Sequence, residues 1–192
     1  MQLAHARELG MQVVEALSPA CERLLLAGSV RRDKPQPKDI EIVYVPILVE
    51  TSLDLFTTGL YPATEAKIVD LVHAGFWQFD LQTRRNEPKY KRLIYKNTVI
   101  ELFRATRENW GLILALRTGP TDFNHLLVDR FRGAMPVDMQ MKSGYLWQRG
   151  QRLPTPTESD FFTAIGIPLW PPHERSGPRL ARYLHEQRLK QC

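Results

Sequence analysis

Apolar residues recur at helical spacing near the amino terminus. Leu3, Leu9, Val13, Val14 and Leu17 share one face, and Ser18-Pro19 ends the run, which predicts a first helix. A short apolar strand is expected over Arg23–Ala27, closed by Gly28. Ile40, Ile42, Val43 and Val45 predict a second strand, closed by Pro46. From Ile47 to Tyr61 no period holds, and the stretch reads as mostly loop. Pro62 then opens a helix to about Ala74, with Ile68, Val69, Leu71 and Val72 inward. Phe76–Thr83, Tyr90–Lys96 and Thr98–Ala105 predict three further strands.

The pattern changes after that. Thr106 is a candidate cap for a helix over Glu108–Arg117. Gly119 breaks it, and Pro120 opens the next helix, to about Arg132. Met135–Lys142 alternates, Ser143-Gly144 turns the chain, and Tyr145 with Trp147 returns as a hairpin. Thr155-Pro156-Thr157-Glu158 has the form of a capping box opening a helix that Gly166 ends. A proline-rich bend and a basic helix over Arg179–Lys190 close the chain. The expected fold class is α+β: a mixed sheet with helices over residues 1–106, then a helix-plus-hairpin lobe over 107–192.

Composition narrows the function classes. Of 192 residues, 43% are hydrophobic and 24% charged, enough apolar material for a core and too little for a membrane-embedded chain. No apolar run reaches the length of a bilayer span, and MQLAHARELG has no secretory h-region. The two cysteines, Cys21 and Cys192, exclude a disulfide framework and a cysteine-built zinc site. They fit a reducing, cytoplasmic compartment. A net charge of +5 favours an acidic partner such as nucleic acid.

The chemistry concentrates in AGSVRRDKPQPKDIEIV, from Ala27 to Val43. Side chains alternate along a strand, so Asp39 and Glu41 point to one face. Two close carboxylates repel unless a cation lies between them, and a hard, oxygen-ligated divalent metal resolves the conflict. Glu101, in the apolar strand VIELF, would complete a three-carboxylate cluster if its strand pairs beside Ile40–Val45. Such a cluster can hold two metal ions about 3.5–4 Å apart for phosphoryl or nucleotidyl transfer. An isolated D-x-E reads more simply as a solvated strand face. Here it follows Gly28-Ser29, a turn whose N–H groups and hydroxyl can cradle a phosphate. Arg31 and Arg32 add charge-assisted donors.

These residues resemble the nucleotidyltransferase signature of the DNA polymerase X family, the polymerase β-like enzymes. Gly28-Ser29-x-Arg31-Arg32 followed by Asp39-x-Glu41 is its core. LRTGPTDFN, from Leu116 to Asn124, is similar to the family's aromatic-aromatic-T-G-S-x-x-F-N segment. PTESDFFTAIGIPLWPPHER, from Pro156 to Arg175, resembles its closing segment. The resemblance implies a palm over 1–106 and a nucleotide-selecting lobe over 107–192. It implies Asp39, Glu41 and Glu101 as ligands of two Mg²⁺ or Mn²⁺ ions, with Glu101 also the proton acceptor. Gly28, Ser29 and Arg32 are implied at the triphosphate, Gly119 near the sugar, and Asn124 at the minor-groove edge of the base. Lys38, directly before Asp39, departs from the glycine common there and is a candidate further contact to the triphosphate, against the simpler reading of a solvated loop lysine. The implied form is a short, viral-type monomeric enzyme of the host cytoplasm without the lyase domain. It would extend primed or gapped DNA from deoxynucleoside triphosphates in short-gap repair, with a separate ligase as partner.

Departures from the family pattern sharpen the expectation. Two of the three metal positions carry Glu where Asp is usual; the extra methylene adds about 1.5 Å of reach and predicts a preference for Mn²⁺. Leu116-Arg117 replaces an aromatic pair beside the sugar, and Val99 stands where an arginine is frequent. The basic run Arg84, Arg85, Lys89, Lys91 and Arg92 is the candidate contact to nucleic-acid phosphates, against the simpler reading of a solvated hairpin. Two rivals stay open. One is a template-independent or small-molecule nucleotidyltransferase, the other an inactive DNA-binding module.

Overall fold

A computed structural model describes residues 1–52, 57–81, 83, 86–133 and 138–190. The protein is mixed α+β. The chain divides into two compact units. The first comprises Met1–Val30 and Pro35–Thr106; the second comprises Arg31–Lys34 and Arg107–Cys192. A single cut after Thr106 therefore misses one feature: the four residues Arg31–Lys34 belong with the later half of the chain.

The first unit is built on one mixed sheet. Its strands are β1 (Cys21–Leu26), β2 (Ile40–Pro46), β5 (Gln78–Phe79), β6 (Asn86–Glu87), β7 (Tyr90–Tyr95) and β8 (Thr98–Arg104). The spatial order is β1-β2-β8-β7-β5, with β6 also on β7. The β2–β8 pair is parallel; the others are antiparallel. The helices α1 (Leu3–Leu17) and α3 (Ala63–His73) contribute Leu9, Val13, Leu17 and Ile68 to the core. Ile40, Ile42 and Tyr44 of β2 and Ile100 and Leu102 of β8 face them in the same cluster. Alternation thus sends the odd-numbered residues of β2 and β8 to the opposite face of the sheet. Lys96 and Asn97 both have positive φ, 47° and 59°, the mark of a two-residue turn that fixes the β7–β8 register.

Several expectations are corrected here. The stretch read as loop forms a ribbon of β3 (Leu48–Ser52) and β4 (Thr58–Pro62). Every residue of β3 is exposed, so no burial period marks it. The strand expected over Phe76–Thr83 shrinks to Gln78–Phe79. Phe76 and Trp77 lie ahead of it as core anchors, Trp77 buried and Phe76 stacked on Tyr95 at 4.6 Å.

The second unit holds α4 (Trp110–Thr118), α5 (Thr121–Gly133), α6 (Glu158–Ala164) and α7 (Gly177–Leu189), with a three-stranded sheet. That sheet is β9 (Met139–Lys142), β10 (Tyr145–Gln148) and β11 (Gln151–Leu153). The turns Ser143-Gly144 and Arg149-Gly150 both have positive φ, as two-residue hairpins require. The third strand was not apparent from its three residues. The start of the expected Met135–Lys142 strand lies outside the described residues. Phe123, Leu127, Phe161, Phe162, Ile165 and Leu180 form the core. The helix starts later than expected: α4 begins at Trp110, and Asn109, not Thr106, stands at its N-cap and donates its amide to the Gly144 carbonyl at 2.9 Å. The capping box sits two residues later than expected. Thr157 accepts from the Asp160 N–H, and the Asp160 carboxylate accepts from the Thr157 N–H.

Candidate active site

The parallel pairing of β2 with β8 puts Glu41 directly beside Glu101. Both lie on the sheet face opposite the core, because their neighbours Ile40, Ile42, Ile100 and Leu102 are fully buried. Asp39 immediately precedes β2, shares the parity of Glu41 and is half-buried. The condition on which the three-carboxylate reading depends, Glu101 on the same face as Glu41, is therefore met by register. As the side chains stand, no three His, Cys, Asp or Glu residues among those described close on one point. One reason is visible at Glu101. Its Oε1 accepts a hydrogen bond from the Tyr90 hydroxyl at 2.6 Å, and the Arg92 guanidinium lies 3.4 Å from the same oxygen.

The turn ahead of β2 closes on Glu41. Gly28 opens the short α2 (Gly28–Arg31) at φ +58°, and the Ala27 N–H donates to the Glu41 carbonyl at 2.8 Å. The Glu41 carboxylate occupies the place that a Cβ on residue 28 would take. Only glycine satisfies both the left-handed backbone and this approach. Gly28→Ala should displace the Glu41 carboxylate and destabilise the protein by about 1–2 kcal/mol. Urea unfolding measures the second effect, and unchanged stability would show that the turn yields freely. Next in the chain, the Ser29 hydroxyl is buried with no hydrogen-bond partner. An orphaned buried hydroxyl is unfavourable unless a ligand satisfies it. Lys38 is exposed.

The second unit carries Arg31, Arg32, Gly119 and Asn124. The Arg32 guanidinium donates to the Thr118 carbonyl at 2.6 Å. Arg31 donates to the Thr118 hydroxyl at 2.8 Å and to Glu158 at 2.6 Å. Glu158 also receives Arg175 at 2.7 Å. Burial alone would raise the Glu158 carboxyl; the hydrogen bonds and charges of Arg31 and Arg175 override it and hold the pKa below its ordinary value. Asn124 is turned inward. Its amide nitrogen donates to the carbonyls of Leu116 at 2.7 Å and Gly119 at 3.0 Å, which uses both hydrogens. Its Oδ1 is buried without a partner and stands where a Cβ on Gly119 would press. So Gly119 and Asn124 are brought together, with both hydrogens of the Asn124 amide nitrogen in use.

The basic run separates. Arg84 and Arg85 lie outside the described residues, and Lys89 is exposed. Lys91 corrects the expectation of a phosphate contact. It is 4% exposed, because the alternation of β7 turns it to the core face, where Glu65 pairs with it at 2.8 Å and Asn86 accepts at 2.9 Å. Arg92 corrects it too: its guanidinium lies between Asp80, at 2.7 Å, and Glu101. Tyr90 and Asp80 were missed as site residues. The Arg92–Glu101 pairing itself was countable, since stepping outward from the Lys96-Asn97 turn pairs Tyr95 with Thr98 and, three residues on, Arg92 with Glu101.

The donor set is chemically suited to a hard divalent cation: carboxylate oxygens on one sheet face, no sulfur or imidazole, and a partnerless hydroxyl in the adjoining turn. Cys21 offers no competing nucleophile, since burial pushes its thiol up to about 12. No helix among the described residues is long and apolar enough to cross a membrane. The chain matches no family model, and no curated protein is significantly similar to it in sequence.

Proposed function

We propose that the protein is a DNA polymerase of the polymerase X type, moving a nucleotide from a deoxynucleoside triphosphate to a primer 3′-hydroxyl. The observation that carries this reading is the side-by-side register of Glu41 and Glu101 on one sheet face, beside the Gly28-Ser29 turn. Asp39, Glu41 and Glu101 would hold two Mg²⁺ or Mn²⁺ ions, which supply Lewis-acid activation of the hydroxyl and neutralise the triphosphate. The Ser29 hydroxyl donates to a phosphate oxygen, which gives it the partner it lacks. The absent Cβ at Gly28 keeps the Glu41 carboxylate against that turn. The primer oxygen forms its bond to the α-phosphorus as the bond to the β-phosphate oxygen breaks. Pyrophosphate leaves, and Glu101 is the assigned acceptor of the hydroxyl proton. We assign the enzyme to the cytoplasm, acting on primed or gapped duplex with a separate ligase.

One observation favours a template-independent transferase instead. With both amide hydrogens bonded to Leu116 and Gly119, Asn124 itself has no donor left to read a base edge. A single experiment separates the readings. Primed, gapped and single-stranded DNA are each supplied with one nucleotide at a time, in Mg²⁺ or Mn²⁺. Templated addition, faster in Mn²⁺, is the expected result. Addition regardless of template would establish the transferase, and binding with no addition in either metal would leave an inactive DNA-binding module.

A further inference from the structure

We infer that Arg92 is a positioning residue for Glu101 and the resident counter-charge of the Glu41–Glu101 pair. The kinetic part of this inference rests on the polymerase reading; the effect on cation binding does not. Arg92 sits on β7 directly opposite Glu101 on β8, as Glu41 sits opposite it on β2. Glu101 is thus flanked by a like charge on one side and an opposite charge on the other. Two carboxylates at neighbouring positions repel one another, and a guanidinium beside them offsets that repulsion.

The guanidinium is paired in charge with a second carboxylate. Its Nε lies 2.7 Å from Asp80 Oδ2, and Asp80 is itself tied down. The Asp80 N–H donates to the Arg92 carbonyl at 3.2 Å, and the Thr83 hydroxyl donates to the Asp80 carboxylate at 3.2 Å. Asp80 is 8% exposed, which strengthens the ion pair relative to one in water. From the same face Tyr90, stacked on Phe103 at 5.0 Å, donates its hydroxyl to Glu101. Both donors meet Oε1, so among the described residues Oε2 is the oxygen of Glu101 without a hydrogen bond. Arg92 and Tyr90 therefore orient the carboxylate, and of these two only Arg92 brings positive charge to it.

These roles predict opposite changes in two measurements. Mn²⁺ binding to the nucleotide-free protein, followed by the paramagnetic resonance of free Mn²⁺, is compared with kcat and KM for single-nucleotide extension. Arg92→Gln should bind Mn²⁺ about ten-fold more tightly, because a repelling cation is gone. Its kcat should fall about ten-fold while KM for the nucleotide stays within about two-fold, because Glu101 has lost its orientation. Arg92→Lys should keep the wild-type Mn²⁺ affinity and recover part of kcat. A structural role would weaken both binding and turnover. Unchanged or weaker Mn²⁺ binding by Arg92→Gln overturns the inference, as does the absence of Mn²⁺ binding from every protein. If Arg92→Gln loses its circular dichroism, Tyr90→Phe decides: it keeps the ring stack, and an undiminished kcat overturns the positioning role. Tighter Mn²⁺ binding with no extension by any protein, wild type included, would refute the polymerase and leave the counter-charge role standing.

Discussion

On the polymerase reading, Asp39→Asn protein is expected to lose nucleotide transfer by about three orders of magnitude while binding primed DNA as the wild type would. Removing a carboxylate that neutralises and orients divalent cations forfeits several kcal/mol of transition-state stabilisation, and each 1.36 kcal/mol is about ten-fold in rate. Asparagine keeps the shape of the side chain and removes its charge. Stability should not fall with activity. Asp39 precedes the strand that carries Glu41, and relieving repulsion on that face leaves the melting temperature unchanged or slightly higher. Glu41→Gln should behave in the same way, since its carboxylate fills the approach to Gly28. The simpler reading, a solvated strand face, predicts normal extension by both variants. Primer extension beside a thermal melt decides between them. An Asp39→Asn enzyme with near-normal kcat would remove these carboxylates from the chemistry.

The second large effect is on stability. Glu158→Ala should destabilise the second unit by about 3–5 kcal/mol. Its carboxylate joins Arg31 and Arg175, and the Arg175 side chain is only 1% exposed. Arg175 is held further by its Nε bond to the Trp170 carbonyl at 3.0 Å and lies over the Phe162 ring at 4.9 Å. It cannot turn to water when its partner is deleted, so an uncompensated buried charge remains. The pH dependence follows from the lowered pKa of Glu158. A carboxyl with a folded-state pKa below its unfolded value stabilises the fold fully above the unfolded value, about 4.3. That contribution fades as pH falls through the lower folded value. Wild type and Glu158→Ala should therefore differ by a constant amount from pH 6 to 8 and converge in acid. Urea unfolding across pH measures this, and a difference that persists undiminished at pH 3 would mean that Glu158 does not act through its charge.

Much of the fold was legible because burial follows sequence period. The spacing of Leu3, Leu9, Val13 and Leu17 marks α1, and the apolar run of Ile40–Val45 marks β2. The β3–β4 ribbon was not legible, because all of β3 is exposed and amphipathic alternation has no core to report. The capping box failed for another reason. Two frames overlap, Thr155 to Glu158 and Thr157 to Asp160, and both satisfy the motif. Thr155 is fully buried; its N–H donates to the Glu108 carbonyl at 2.7 Å, and its own carbonyl accepts from Gly111 at 2.7 Å. Glu158 is committed to two arginines, and Asp160 is left to close the box.

The candidate site divides in the same way. By itself the sequence determined which residues could carry the chemistry: three carboxylates in strand-like surroundings and a glycine-serine turn. It also determined their alternation, because side-chain direction along a strand is a local property of the backbone. Only the tertiary structure decided which charges meet. It set Glu101 between Glu41 and Arg92, turned Lys91 to Glu65, and folded the Asn124 amide back on Leu116 and Gly119. A charge takes the partner that strand order and helix packing bring within a few ångströms, and those neighbours come from distant parts of the chain.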